Sequence, residues 1–420
     1  MRVLYVTFFY PPETGAASIR TVHHVRALRA AGHDVSVLAP LPNYPSGEIF
    51  PEWQGRIQKH DPIEGVRRVW IRPSLSPKPW SRLMPYATFN VSGFLGALWT
   101  RLRGARIDVI AATSPPIPAM TFLAPLSLLL RAPLVLDLRD IWPDLGLHMG
   151  VLREGSLETR VTGMVERLLL RRARRCAVTA EGDRDNLLAK GVPANHVLLV
   201  PNGADTEQFT PDGALPREER LRRFGGRDGF SVIYAGSFNF AMNDMELLAD
   251  IARDIANTRP QYTLYLAGAG RALPTIKEAV RSSQNPDAVC FIDPLPHAEL
   301  APLVASCDVG IVPLRNVPDT GGNVPVKMFE YWAAGLPVAL GVHRESSTLP
   351  IFERVRAGVH FESSSSAAAI EALDQLAAMS PAERRRIGAS GREFVQREYS
   401  RQTWSRRFAE AVEDAVASGA

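Results

Sequence analysis

Short unbroken apolar runs alternate along the chain with stretches where apolar residues recur every three or four positions. VLYVTFF (3–9) is a continuous run of strand length. SIRTVHHVRALRAAG (18–32) carries a helical period and stops at Gly32, and DVSVLAP (34–40) returns to strand character. The same alternation continues through IDVIAAT (107–113), PLVLDLRD (133–140), CAVTA (176–180) and VLLVPNG (197–203). A second series runs through FSVIYAGS (230–237), YTLYLAGAG (262–270), AVCFIDPL (288–295), VGIVPL (309–314) and PVALGV (337–342). Unbroken apolar strands separated by helices predict parallel sheets covered on both faces. Two such series predict an α/β protein of two doubly wound, Rossmann-like domains facing one another across a cleft. Ligands would then sit at the carboxyl ends of the strands. Residues 1–200 form the first domain, the Pro/Gly/Asp-rich stretch 201–216 a linker, and 217–399 the second domain. Residues 400–420 read as an amphipathic helix expected to pack back on the first domain.

Composition narrows the class. A chain of 420 residues with 46% hydrophobic and 22% charged residues is in the range of a globular enzyme of two or three domains. The cysteines Cys176, Cys290 and Cys307 are too far apart in sequence for a zinc motif or a disulfide framework. The opening MRVLYVTFFYPP lacks the features of a signal peptide, so a cytoplasmic location is expected. The formal charge of +4 is uneven: residues 1–200 hold 25 Lys/Arg against 16 Asp/Glu, and residues 201–420 hold 23 against 28. A basic first half suits an acidic partner such as a phosphate or an anionic membrane face, or else consists of scattered solvated arginines. No arginine cluster is interleaved with aromatics as in a nucleic-acid module, and no such partner is expected. The stretch 83–104, apolar with a basic tail, reads either as a membrane-surface helix or as a core helix.

The richest chemistry lies in GGNVPVKMFEYWAAGLPV (321–338). Gly321 and Gly322 allow close backbone approach, Asn323 is a good N-cap, and Pro325 suits a first helical turn. A helix N-terminus after such a turn presents free N–H groups and the positive end of the dipole to an anion. Lys327 would add a full charge, and Glu330, on the same face, could grip the two hydroxyls of a ribose. The set describes a nucleotide diphosphate site; the plainer reading is a capped surface helix carrying a solvated Lys/Glu pair.

FEYWAAGLPV resembles the EAMAAGKPV signature of retaining glycosyltransferases of family 4, which have the GT-B fold. The likeness holds in order along the chain: FFYPPETGAASIRTVHHVRALRAAGHDVSVLAP, VPNGADTEQFTP, VIYAGS and LAGAG all resemble family segments, over roughly residues 2–415. PNYPSG, TSPP, LRDIWPD and VPVKMFEY look like its WbuB-like branch, which transfers amino sugars in O-antigen and capsule assembly. The resemblance implies transfer, with retention, of an N-acetylated amino sugar from a UDP-linked donor to a hydroxyl of a polyprenyl-diphosphate-linked saccharide. The reaction would proceed without a metal or other cofactor, in contact with the inner face of an anionic membrane. Gly15, Gly236, Ser237, Gly268, Arg315, Gly321, Gly322, Asn323, Val324, Lys327 and Glu330 would line the donor. Arg171, Arg172, Arg174 and Arg175 would face the membrane and acceptor. Of the family's two glutamates separated by seven residues only Glu330 stands here, the first falling on Gly322. The Arg and Lys that follow the family's Y-A-G strand are missing, leaving Lys327 or Arg315 to stand in. The first-domain histidine is replaced by Ser114-Pro115-Pro116, leaving Asp140 and His148 as candidates, although Asp137, Arg139 and Asp140 could instead pair with each other. A GT-B nucleotide-sugar epimerase or a non-catalytic nucleotide-binding relative would share the architecture.

Overall fold

The computed structural model describes residues 1–418 apart from 14, 45–46, 56–57, 61–62, 64, 75–78, 103–105, 149, 151, 240–242, 317–323 and 364. The chain divides into two compact units, Met1–Pro201 with Gln402–Ala420 (unit 1) and Asn202–Arg401 (unit 2).

In unit 1 the strands are β1 (Arg2–Val6), β2 (Asp34–Pro40), β3 (Gln58–His60), β4 (Val66–Val69), β5 (Val109–Ser114), β6 (Leu134–Leu138), β7 (Ala173–Val178) and β8 (Val197–Leu199). They form one sheet in the order β3-β4-β2-β1-β5-β6-β7-β8. Every described pairing is parallel except β3 with β4. Neither β3 nor β4 is visible in the apolar pattern. A link too short for a crossover leaves antiparallel pairing as the geometry open to them. The helices are α1 (Ala16–Ala30), α2 (Pro79–Leu102), α3 (Leu123–Leu130), α4 (Asp144–His148), α5 (Leu157–Arg172) and α6 (Glu181–Ala189). The strand period of two sends Leu4 and Val6 of β1 into a core with α2, α3 and α5. It sends Val3 and Tyr5 to the opposite face, with α1 and the C-terminal helix residues Phe408 and Val412.

In unit 2, β9 (Phe230–Ala235), β10 (Tyr262–Ala267), β11 (Val289–Ile292), β12 (Val309–Pro313), β13 (Val338–Gly341) and β14 (Gly358–Phe361) form a sheet in the order β11-β10-β9-β12-β13-β14. Every described pairing in it is parallel. Its helices are α7 (Arg217–Phe224), α8 (Met245–Thr258), α9 (Leu273–Arg281), α10 (His297–Ala305), α11 (Val326–Ala333), α12 (Thr348–Val355), α13 (Ser366–Ala378) and α14 (Pro381–Glu398), and the chain ends in α15 (Arg401–Ala417). One face of the sheet packs on α11 and α14 through Phe329, Trp332 and Phe394, the other on α8 and α13 through Leu248, Ile251 and Leu373.

Of the stretch 201–216, expected as a linker, residues 202–216 belong to unit 2. Ala204 and Phe209 are fully buried, and Arg392 donates to the carbonyls of Phe209 (2.9 Å) and Thr206 (3.2 Å). An aromatic ring in a Pro/Gly-rich segment loses too much by staying in water for the segment to hang free.

Candidate functional site

The site in unit 2 forms where the first turn of α11 meets the end of β9. Buried Met328, Phe329, Tyr331 and Trp332 fix the helix against the sheet, and Trp332 Nε1 donates to the Ala357 carbonyl at 2.9 Å. The Ala235 N–H, at the last residue of β9, donates to Tyr331 Oη at 2.7 Å, tying the helix to the strand end. This connection brings Lys327 over the turn at Gly236. Its Nζ donates to Asn243 Oδ1 (2.7 Å) and Tyr234 Oη (3.1 Å) and lies 4.2 Å from the centre of the Tyr234 ring. A Cβ placed on Gly236 would lie 3.4 Å from Lys327 Nζ. Burial lowers the Lys327 pKa to about 7, Glu330 pulling the other way. An amine whose pKa lies this close to neutrality, at a helix N-terminus with only neutral hydrogen-bond partners, is poised to become an ammonium when an anion arrives.

The start of α11 differs from the sequence expectation. Pro325, not Asn323, occupies the N-cap position and no side chain caps the helix. Pro325 itself disfavours helical geometry at Val324, so the first turn cannot begin earlier. Val324 is half-buried against the core; Gly321, Gly322 and Asn323 lie outside the described residues. Glu330, the residue expected to grip a ribose, is engaged within the protein. It accepts from Arg401 Nη2 at 3.2 Å, both side chains nearly buried, while Arg401 Nε holds the Gly203 carbonyl at 3.1 Å. Arg401 Nη1 is buried without a hydrogen-bond partner among the described residues.

Gly268 meets Gly236 backbone to backbone. A Cβ on Gly268 would fall 2.0 Å from the Gly236 carbonyl oxygen, at a φ of +140° that side-chain-bearing residues rarely adopt. Gly268→Ala is therefore expected to destabilise the protein by about 2 kcal/mol or more, read as a drop in thermal midpoint. Ser237 is exposed, its Oγ accepting from Asn239, and Arg315 is exposed one residue beyond the Leu314 bridge to Asn243. The structure thus gathers Gly236, Gly268 and Lys327 in one place. It adds Tyr234 and Asn243, which sequence reasoning missed; the local signal was a polar residue in GSFNFAMNDMELL where the expected basic pair is absent.

In unit 1, Asp137 does not pair with Arg139 or Asp140. It is fully buried and held by Arg20 (2.6 Å) and Thr113 Oγ1 (3.1 Å). Burial alone would raise its pKa, but Arg20 prevails and holds it below the usual carboxylate range. Arg139, just beyond β6, is tied to the end of β5 by its backbone N–H, which donates to the Ser114 carbonyl at 3.0 Å. Its guanidinium donates weakly to the Pro115 carbonyl at 3.4 Å. Arg139 Nε and Ser114 Oγ are both buried without a hydrogen-bond partner among the described residues. Burial raises the Asp140 pKa, Arg139 offsetting part of the effect. His148 ends α4 exposed, and among the described residues no hydrogen bond or ion pair joins it to Asp140. Gly15 is the exposed N-cap residue of α1, and the neighbouring Glu13 is structural, accepting the Asn43, Tyr44 and Tyr10 N–H groups. His24 is buried, stacked on Phe408 at 4.1 Å and held neutral by burial at a pKa of about 3.

The four arginines expected to act as one basic run are divided. Arg171 is exposed at the end of α5, Arg172 donates to Ser127 Oγ at 3.0 Å, and Arg174 and Arg175 lie on β7. A helix that gives way to a strand between them cannot present consecutive side chains on one surface. The neighbouring Glu166 is bonded to Lys190.

Two domain families match the chain: a glycosyl transferase 4-like domain over residues 15–203 and a glycosyl transferase-like domain over residues 248–412. With its two parallel-sheet units, the chain has the GT-B fold, and both domain models that it matches are of glycosyltransferases. It is similar to the putative colanic acid biosynthesis glycosyl transferase WcaI of Escherichia coli K12, 29% identical over 218 residues, which is 50% of this chain and 52% of WcaI. The alignment therefore spans about half the length of that relative. The structure of sucrose-phosphate synthase from Thermosynechococcus elongatus matches with a TM-score of 0.72 at 19% identity, covering 99% of both chains. That of HepE from Anabaena in complex with UDP matches at 0.68 and 16%, covering 99% of this chain and all of HepE. At such identities the likeness to these structures is one of fold.

Proposed function

We propose that this protein transfers an N-acetylated amino sugar from a UDP-linked donor to a hydroxyl of a polyprenyl-diphosphate-linked saccharide, with retention, in surface polysaccharide synthesis. The observation that carries the proposal is the seat of Lys327. Its ammonium stands at the start of α11 against the Gly236 turn, next to the segment where the resembling family keeps its basic pair. There it would meet the donor diphosphate. As the bond to the sugar breaks, charge builds on the leaving phosphate, and a cation preorganised by Tyr234 and Asn243 stabilises that charge without reorganising. UDP in the HepE complex and the WcaI relative support a nucleotide sugar and a glycan product. On the acceptor side, Asp140, half-buried and with its pKa raised by burial, offers a carboxyl group for a sugar hydroxyl. The departing phosphate itself would take the acceptor proton, the front-side route that the family resemblance implies.

Incubation with UDP-linked amino sugars and a membrane extract containing lipid-linked saccharides tests this reading. UDP release that depends on the acceptor, together with sugar gained by the lipid fraction, is expected. A C2-inverted nucleotide sugar without acceptor would assign the protein to epimerisation instead, and no turnover of any donor would assign it to binding alone.

A further inference from the structure

Among the described residues, every exposed large apolar side chain belongs to unit 1, and eleven of the thirteen lie on α2, α3 and α5. On α2 they are Met84, Val91, Leu95, Trp99 and Leu102, one stripe down the helix. On α5 they are Leu157, Val161, Met164 and Leu168, a second stripe at spacings of four, three and four. Leu128 and Leu129 of α3 are exposed as well. The three helices are tied to one another and share an inner core. Asn90 of α2 donates to the Pro118 carbonyl (2.8 Å) and accepts from the Phe122 N–H (2.9 Å), and Arg172 of α5 bonds Ser127 of α3. Their inner faces already fill a common core through Phe89, Leu123 and Leu169. The outward stripes thus have no core left to join, the reverse of the polar face that a surface helix shows to water.

The exposed charges on these helices are basic. Arg101, Arg131, Arg160, Arg167 and Arg171 are exposed on or beside the stripes. The carboxylates of these helices are Glu158, half-buried, and Glu166, buried on Lys190. We propose that the outward faces of α2, α3 and α5 dock on an anionic bilayer, the apolar stripes entering the acyl boundary and the arginines lying at the lipid phosphates. No described helix is long and apolar enough to cross a membrane, so the contact is with the membrane surface. A second copy of the chain fits less well: in a two-fold contact the arginines would meet arginines, with no exposed carboxylate on the helices to answer them. This inference rests on the proposed function only in giving the docking a purpose, the delivery of a lipid-borne acceptor.

Flotation with vesicles of phosphatidylcholine, with and without phosphatidylglycerol, tests it on the full chain. The wild type is expected to bind anionic vesicles about tenfold or more tightly than neutral ones. Leu95→Asp/Met164→Asp, at two exposed positions that leave the core intact, is expected to lose binding to both. Arg160→Glu/Arg167→Glu is expected to lose the preference for anionic lipid. Equal flotation of the wild type with both vesicles, flotation of the Leu95/Met164 variant at wild-type level, or a wild-type dimer dissolved by that variant would each overturn the proposal. UDP titration of the same variants separates the two readings: flotation without UDP binding counts against the donor site and for the docking surface, and UDP binding without flotation does the reverse.

Discussion

Replacing Lys327 by Met should lower the rate of sugar transfer about 10²–10³-fold, the usual effect of removing one preorganised electrostatic partner of a developing anion. Methionine keeps the length and apolar stem of lysine and removes the charge. Stability should behave differently from activity. Because burial holds the Lys327 pKa at about 7, below an unfolded value of ~10.4, its folded form favours the neutral state. The wild type therefore carries a penalty below about pH 7 that is relieved as pH rises toward the unfolded value. The Met variant escapes this penalty, so at about pH 6 its thermal midpoint should not fall below that of the wild type. A variant that lost activity and also melted early at that pH would mark Lys327 as structural. The same pKa sets a pH signature for binding. Donor affinity of the wild type should weaken as pH rises from about 7 to about 8.5, because each diphosphate must then bring a proton with it, and the Met variant should lack this slope.

Arg20→Met should be the most damaging substitution for folding, costing about 3–5 kcal/mol, because it strands the Asp137 carboxylate in a fully buried position. Arg20 also donates to the Val200 carbonyl at 2.8 Å and the Pro201 carbonyl at 3.3 Å, so its loss frees the end of unit 1 as well. In a unit of this size the midpoint should fall by about 6–20 °C. Arg20→Met/Asp137→Leu should recover much of the loss, since the stranded charge rather than the missing pair carries the cost. The pH dependence has a definite sign. With Arg20 present the Asp137 pKa is depressed, so the pair's contribution is full above the unfolded carboxyl value of ~3.9 and disappears as pH falls through the lower folded value. Without Arg20, burial raises the folded pKa, and stability is lost as pH rises above the unfolded carboxyl value of ~3.9. Between about pH 4 and about pH 8 the pair should give the wild type no slope in thermal midpoint, whereas the midpoint of the variant relative to wild type should fall as pH rises.

The strands that carry the fold were legible because a parallel strand buried on both faces is an unbroken apolar run, as in VLYVTFF and FSVIYAGS. Strand β4 was not, because its VRRV alternates and its Arg68, fully buried, is satisfied by the carbonyls of Pro40 and Tyr10 rather than by anything in its own sequence neighbourhood. At the site, Lys327 stood out from its position in a helix after glycines. Its partners Tyr234 and Asn243 did not, being 93 and 84 residues away and brought in only by the register of α11 on β9. Arg401, which takes Glu330, was hidden for the same reason. The division of Arg171, Arg172, Arg174 and Arg175 turns on a helix ending where the sequence offers no Gly or Pro to mark the stop. The outward apolar stripes of α3 and α5 were unreadable because hydrophobic periodicity does not say which face of a helix is already covered.

The most direct measurement of the central claim is a calorimetric titration of UDP into the wild type and Lys327→Met at about pH 7, where the Lys327 ammonium is still available to the anion. If the turn at Gly236 and the start of α11 hold the diphosphate, the wild type binds UDP and the variant binds it at least about tenfold more weakly, a difference of about 1.4 kcal/mol. Equal binding by both proteins would contradict the account, placing the nucleotide away from Lys327.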